Sequence, residues 1–423
     1  MDRASICLAL FICAYILFII LPKKRTLVAI SASILLILVK IITPQEAFFA
    51  INWNVMGIFV GTLAIADIFM ESRVPAYLAE LIVYRAKNTA WAILWICLLT
   101  GFISAFVENV ATVLIVAPIA LSLSKKIKLN PVNMMIAIAV SSNLQGAATL
   151  IGDPPSMLLA GYSKMNFGDF FFYKGRPSVF FAVEIGAIVS FFVLYFIFRK
   201  HKEKQTFVSV EKIKSWIPAI LLAAMIILLA FSSFFDPGFT GLAGAICMTS
   251  GIISVIWNKL VNKKPIFTRI KNLDWETTFF LVGVFILVGS ITLTGWIETI
   301  SAFLSSLVGN NIFAGYTLLV FVSVLVSAFV DNVPLLATML PVAIAMADKL
   351  NVNPSLFLFG LLIGASLGGN ITPIGASANI VACGLLKKQG HPVKFGEFMK
   401  IGLPFTLTAV TAACFFVWFV WNR

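Results

Sequence analysis

The chain has 423 residues, of which 60% are hydrophobic and 12% charged, with 39 phenylalanines and a formal net charge of +13. A mean hydropathy of +1.01 excludes a water-soluble globular domain and identifies an all-α polytopic membrane protein. The six cysteines stand singly in apolar stretches, and His201 and His391 both lie in polar connections, so neither a disulfide framework nor intramembrane imidazole chemistry is expected.

A bilayer core needs about 20 apolar residues per helix. In chain order, spans are expected near 5–21, 26–42 and 53–70, followed by an apolar block at 90–124 with "SAFVENVATVLIVAP" (104–118) at its centre. The first span runs directly into the second without a small-residue cleavage site and reads as a retained helix. A span at 131–162 is interrupted by "GAATLIGDPPS" (146–156), and another follows at 178–198. Beyond a basic linker at 201–213 come spans at 214–235, 239–257 and 275–293, then a second block at 312–347 carrying "SAFVDNVPLLATMLP" (327–341). A span at 354–386, interrupted by "GGNITPIGASAN" (369–380), and one at 401–421 complete the chain.

Residues 104–163 align on 327–386 at a constant offset of 223 without a gap, with 17 identities in 60 positions. The chain is therefore two repeats, 1–200 and 214–423. If 90–124 and 312–347 are re-entrant hairpins, each half has five spanning helices, an odd number, and the second half is inverted relative to the first. That topology collects 23 of the 31 Lys and Arg on one side, which the positive-inside rule makes cytoplasmic, with both termini outside the cell membrane. The hairpin tips then approach each other near the midplane, between the two broken helices. The basic excess is explained by this topology and by anionic lipid heads, and no nucleic-acid partner is expected.

Unpaired backbone groups in hydrocarbon cost several kcal/mol each, so the tips "VENV" (107–110) and "VDNV" (330–333) and the two breaks mark a site. Glu108 and Asp331 are duplicated intramembrane carboxylates, each followed by an asparagine, Asn109 and Asn332. Together these four are candidate Na⁺ or proton ligands; the simpler alternative is that each carboxylate caps the second arm of its hairpin. Asp153, before Pro154 and Pro155, is either a coupling group or an N-cap. Thr149, Gly152, Thr372, Gly375, Ser377 and Asn379 are candidate site lining, or small-residue helix packing. Asn143 and Asn370 flank the breaks as ligands or interhelical hydrogen bonds. Asp67 and Glu184 lie within spans but are not duplicated, and the GxxxG runs at 57–61 and 364–368 read as packing faces. With no phosphate-binding loop, no H-E-x-x-H and no nucleophile constellation, neither an enzyme nor an ATP-driven pump is indicated, and no cofactor beyond a coupling ion is expected.

At these residues the chain resembles the ion transporter superfamily of ArsB-type arsenite permeases, NhaD-type sodium/proton antiporters and citrate or dicarboxylate/sodium symporters. "SAFVDNVP", "IGDPPSMLL" and "LGGNITPIGASANIV" resemble most the P-protein-like branch. The resemblance implies a scaffold and a transport domain, an elevator-like motion and a homodimer. In the dicarboxylate symporters the tips read Ser-Asn-Thr and help bind sodium. Here the matching positions are Glu108-Asn109-Val110 and Asp331-Asn332-Val333, and the added carboxylates disfavour a dicarboxylate substrate. Ser156 also stands where related permeases commonly carry Asn, whereas the second half keeps Asn379. Cation exchange or export of an oxyanion such as arsenite fits best, with a sodium-coupled carboxylate carrier as the alternative and a channel behind both.

Overall fold

The computed structural model describes residues 2–127, 130–203, 212–263 and 265–422. The linker expected at 201–213 falls largely outside them. Among the described residues, twenty α-helices form two sets of ten in the same order. The first set is α1 (Arg3–Ile20), α2 (Arg25–Leu38), α3 (Pro44–Ala50), α4 (Trp53–Glu71), α5 (Val74–Arg85), α6 (Thr89–Ser104), α7 (Asn109–Ile127), α8 (Val132–Gly146), α9 (Pro154–Ser163) and α10 (Val179–Phe198). The second is α11 (Ile217–Ser232), α12 (Leu242–Asn262), α13 (Ile266–Asn272), α14 (Trp275–Leu293), α15 (Trp296–Val308), α16 (Ile312–Ser327), α17 (Asn332–Lys349), α18 (Pro354–Gly368), α19 (Ser377–Lys388) and α20 (Phe395–Trp421). A two-residue antiparallel ribbon, Phe172–Tyr173 with Arg176–Pro177, precedes α10. Among the described residues, seven helices are long and apolar enough to cross a membrane.

Contacts give the relative direction of the halves. On α4 and α12, Gly57 meets Gly244 and Gly61 meets Cys247, so the two helices run parallel at glycine-level separation. On α2 and α14, Thr26 Oγ1 donates to the Glu276 carbonyl (2.8 Å) and Ser33 Oγ to the Gly283 carbonyl (3.2 Å), again parallel. The end of α4 (Asp67 and Glu71) pairs with Arg269 just before α14, on the side where α2 and α14 both begin, so α4 runs against α2. Helix α12, the counterpart of α2, therefore runs with α4 and against α2, as inverted repeats require.

Packing sorts the helices into two groups. One is built on α1, α2 and α14, and on α4 with α11 and α12. The other joins α6 with α8, α16 with α18, and α10 with α20. Asn54 ties the first group together, accepting from Gly244 N (2.7 Å) and donating to the Phe239 carbonyl (3.1 Å).

Several elements depart from the sequence reading. Helix α2 stops at Leu38 instead of continuing to 42, because the chain turns through Lys40 at φ 56°. Four short helices occupy stretches read as connections. Pro44 with the Thr43/Glu46 capping box starts α3, and Pro75 in its first turn starts α5. Helix α13 follows Pro265, and α15 follows Gly295, whose φ is 78°.

Candidate functional site

Each hairpin tip is four residues, 105–108 between α6 and α7 and 328–331 between α16 and α17. The first arm of a hairpin leaves carbonyls without helical partners. In both halves a break residue fills that need: Thr149 Oγ1 donates to the Ala105 carbonyl, and Thr372 Oγ1 donates to the Ala328 carbonyl. Gly375 N donates back to Thr372 Oγ1 at 3.1 Å. A Cβ on Gly152 would strike the Gly146 and Ala105 carbonyls, and one on Gly375 the Gly369 and Ala328 carbonyls. The repeat thus encodes two identical closures of a break onto a tip, and both need glycine for lack of space.

Three carboxylates sit at the two tips and the first break, and each commits one oxygen to a helix start. Ala111 N donates to Glu108 Oε2 (3.0 Å), Val333 N to Asp331 Oδ1 (3.0 Å) and Ser156 N to Asp153 Oδ1 (2.9 Å). The capping alternative therefore describes all three, but it occupies only half of each group. The second oxygens differ. Asp331 Oδ2 is ion-paired with Arg25 Nη1. Asp153 Oδ2 is buried without a hydrogen-bond partner among the described residues. Glu108 has no basic side chain against it among the described residues.

The asparagines also diverge. Asn109 Oδ1 accepts from Ser104 Oγ at 2.6 Å, with Ser142 Oγ 2.8 Å from that hydroxyl. Asn332, half-buried, has no side-chain partner among the described residues. Asn143, Asn370 and Asn379 form one buried cluster: Asn143 Nδ2 donates to Asn370 Oδ1 and Asn379 Oδ1, both at 2.8 Å. Asn379 Nδ2 in turn donates to the Gly369 (3.0 Å) and Thr372 (2.9 Å) carbonyls, which the break has freed. Ser377 opens α19, half-buried and without a side-chain partner among the described residues. Ser156 Oγ reaches only the Gly146 carbonyl, at 3.5 Å, where its counterpart Asn379 spans two carbonyls.

The surroundings of the two hairpins are unequal. Helix α7 is flanked by open cavities of about 650 and 470 Å³, one bounded by Asp67, Glu71 and Arg269, the other by Lys125 and Gln389. Asp67 accepts from Arg269 Nη1 at 2.9 Å, and Arg269 also pairs with Glu71. Helix α17 instead lies against α1, where Tyr15 Oη donates to the Pro334 carbonyl at 2.8 Å. Glu184 lies in an apolar crevice of about 530 Å³ that Gln145 and the first tip's Ala105 and Phe106 also line.

The sequence reading did not single out Arg25, Ser104 or Ser142. Arg25 follows Lys23 and Lys24, and in the sequence it is indistinguishable from the basic residues that topology places in the cytoplasm. Ser104 and Ser327 were visible as a repeat identity. Ser327 Oγ donates to the Ala365 carbonyl, at the position where Ser142 contacts Ser104.

The citrate transporter family profile matches residues 15–350 and 270–423. An uncharacterized transporter of Mycobacterium bovis is 27% identical over 429 residues, covering 98% of this chain and 97% of that protein. The P protein of Homo sapiens is 26% identical over 444 residues, covering 85% of this chain and 52% of its own length. Among solved structures, the Alcanivorax borkumensis YdaH transporter superposes with a TM-score of 0.62 at 15% identity, covering 88% of this chain and 85% of that one. Neisseria gonorrhoeae MtrF, described among antimetabolite efflux pumps, gives 0.59 at 13% identity over 99% and 95%. These two likenesses concern the fold.

Proposed function

The chain belongs to the citrate transporter family and is a multi-pass membrane protein and secondary transporter, from which premise we propose that it moves a small ion coupled to Na⁺ or H⁺. Glu108 with Asn109, and Asp331 with Asn332, are the two halves of the coupling site. Thr149, Gly152, Asp153, Thr372, Gly375, Ser377 and Asn379 line the transported species' path. The observation that carries this reading is the set of three carboxylates at the tips and first break, against one nearby arginine that is already paired. Such a site attracts cations and repels a free carboxylate. The second packing group, holding both hairpins, would move against the first in an elevator cycle, within a homodimer in the plasma membrane whose termini face outside.

Two cargoes fit: a cation exchanged for protons, or an oxyanion such as arsenite exported with the coupling ion. The family description favours a second reading, a sodium-coupled di- or tricarboxylate carrier whose substrate arrives cation-paired. Concentration jumps of Na⁺, Li⁺, K⁺, arsenite and citrate on protein-loaded solid-supported membranes separate these. Transient currents on a cation jump alone support exchange, currents that need arsenite support export, and currents that need citrate transfer the function to the second reading.

A further inference from the structure

Glu108 and Asp331 are equivalent in the repeat, yet among the described residues only Asp331 is paired with a cation supplied by the protein itself. Arg25, the first residue of α2, reaches from one packing group to the hairpin tip of the other and pairs with Asp331 Oδ2. The remaining oxygen, Oδ1, holds the start of α17 through Val333 N at 3.0 Å. The guanidinium carbon lies 4.9 Å from the ring centroid of Phe280, a fully buried side chain of α14. The side chains of Arg25 and Asp331 are only 20% and 23% exposed. Three helices thus deliver a fixed, always-charged group to the place where a coupling cation would sit. Both oxygens of Asp331 are engaged and its charge is balanced by the guanidinium, which weakens its attraction for a second cation.

We propose that Arg25 is a tethered substitute for the coupling cation at Asp331, so that the exchangeable cation binds at the Glu108 half of the site alone. This rests on the reading of the protein as a cation-coupled transporter and assigns it one exchangeable cation. It also gives the ion pair a mechanical role, because the pair bridges the two packing groups and must part whenever hairpin and α2 separate.

The test is equilibrium stabilisation of the whole protein in detergent by Na⁺, Li⁺ or K⁺, with choline holding the ionic strength constant. Ligand binding raises the unfolding free energy with a slope against log concentration that counts the sites occupied. Arg25→Gln is expected to raise that slope about twofold near saturation by opening Asp331, while Arg25→Lys keeps the wild-type slope. A wild-type slope in folded Arg25→Gln overturns the proposal. Should Arg25→Gln not fold, the charge-balanced double variant Arg25→Gln/Asp331→Asn is measured instead. It is expected to retain the wild-type slope, and loss of its cation response overturns the proposal by placing Asp331 among the ligands. If wild type responds to none of the three cations, the cation reading itself fails and this inference falls with it.

Discussion

Asn143 on α8 and Asn379 on α19 belong to opposite halves of the chain, and Asn143 Nδ2 donates to Asn379 Oδ1 across the centre of the molecule at 2.8 Å. The same amide nitrogen donates to Asn370, so one side chain pins both ends of the second break to the first repeat. Asn143→Ala removes the donor and leaves two buried acceptors short of a partner. Each such group costs about 1–3 kcal/mol, and the variant is expected to unfold at markedly lower temperature in detergent. An unchanged midpoint would show that the cluster is not a pin.

Helices α4 and α12 approach through Gly61, where an added Cβ would overlap the Cys247 carbonyl. Gly61→Ala is expected to push them apart at a cost of about 1–3 kcal/mol. Gly384, inside α19, has open space around it, so Gly384→Ala, tested in the same thermal assay, should leave the midpoint at or slightly above that of wild type, because alanine favours the helix by about 0.4–1 kcal/mol.

Much of this arrangement was legible in the amino-acid order. The offset of 223 marks the tips and the breaks and pairs Thr149 with Thr372 and Gly152 with Gly375, whereas the closure of break onto tip that these residues make is visible only in the structure. Pairings between distant residues left no local trace. Arg25 and Asp331 are 306 positions apart, and Arg269 and Asp67 are 202 apart. Both arginines lie in basic stretches that topology alone already explains. The helices α5 and α15 are too short to span a bilayer, so the run of apolar residues that marks a span does not mark them.

Asp153 buries an oxygen that has no hydrogen-bond partner among the described residues. Asparagine caps helices about as well as aspartate, and it removes a buried charge. Asp153→Asn is therefore expected to be at least as stable as wild type while losing transport by tenfold or more. A stable variant with full transport would reduce Asp153 to a cap.

Asp236, in the connection between α11 and α12, is buried, which by itself would raise its pKa. Hydrogen bonds from Thr240 N and Oγ1 (2.8 and 2.9 Å), Gly241 N and Leu242 N outweigh that and hold it below the ordinary carboxylate value. A carboxylate lowered in this way stabilises the fold above its unfolded pKa of about 3.9, and that contribution is lost as pH falls through the lower folded value. Unfolding midpoints measured from pH 6 down to 3 should fall more steeply in wild type than in Asp236→Asn, and parallel curves would contradict the assignment.

The most direct test of cation coupling at the first hairpin uses proteoliposomes loaded with a pH dye and given an inward jump of Na⁺, Li⁺ or K⁺. Cation entry in exchange for protons should raise the internal pH for one of the three, and Glu108→Gln, reconstituted at equal density, should abolish the rise. A cation-driven rise that persists in Glu108→Gln, or vesicles silent to all three cations, would contradict the account.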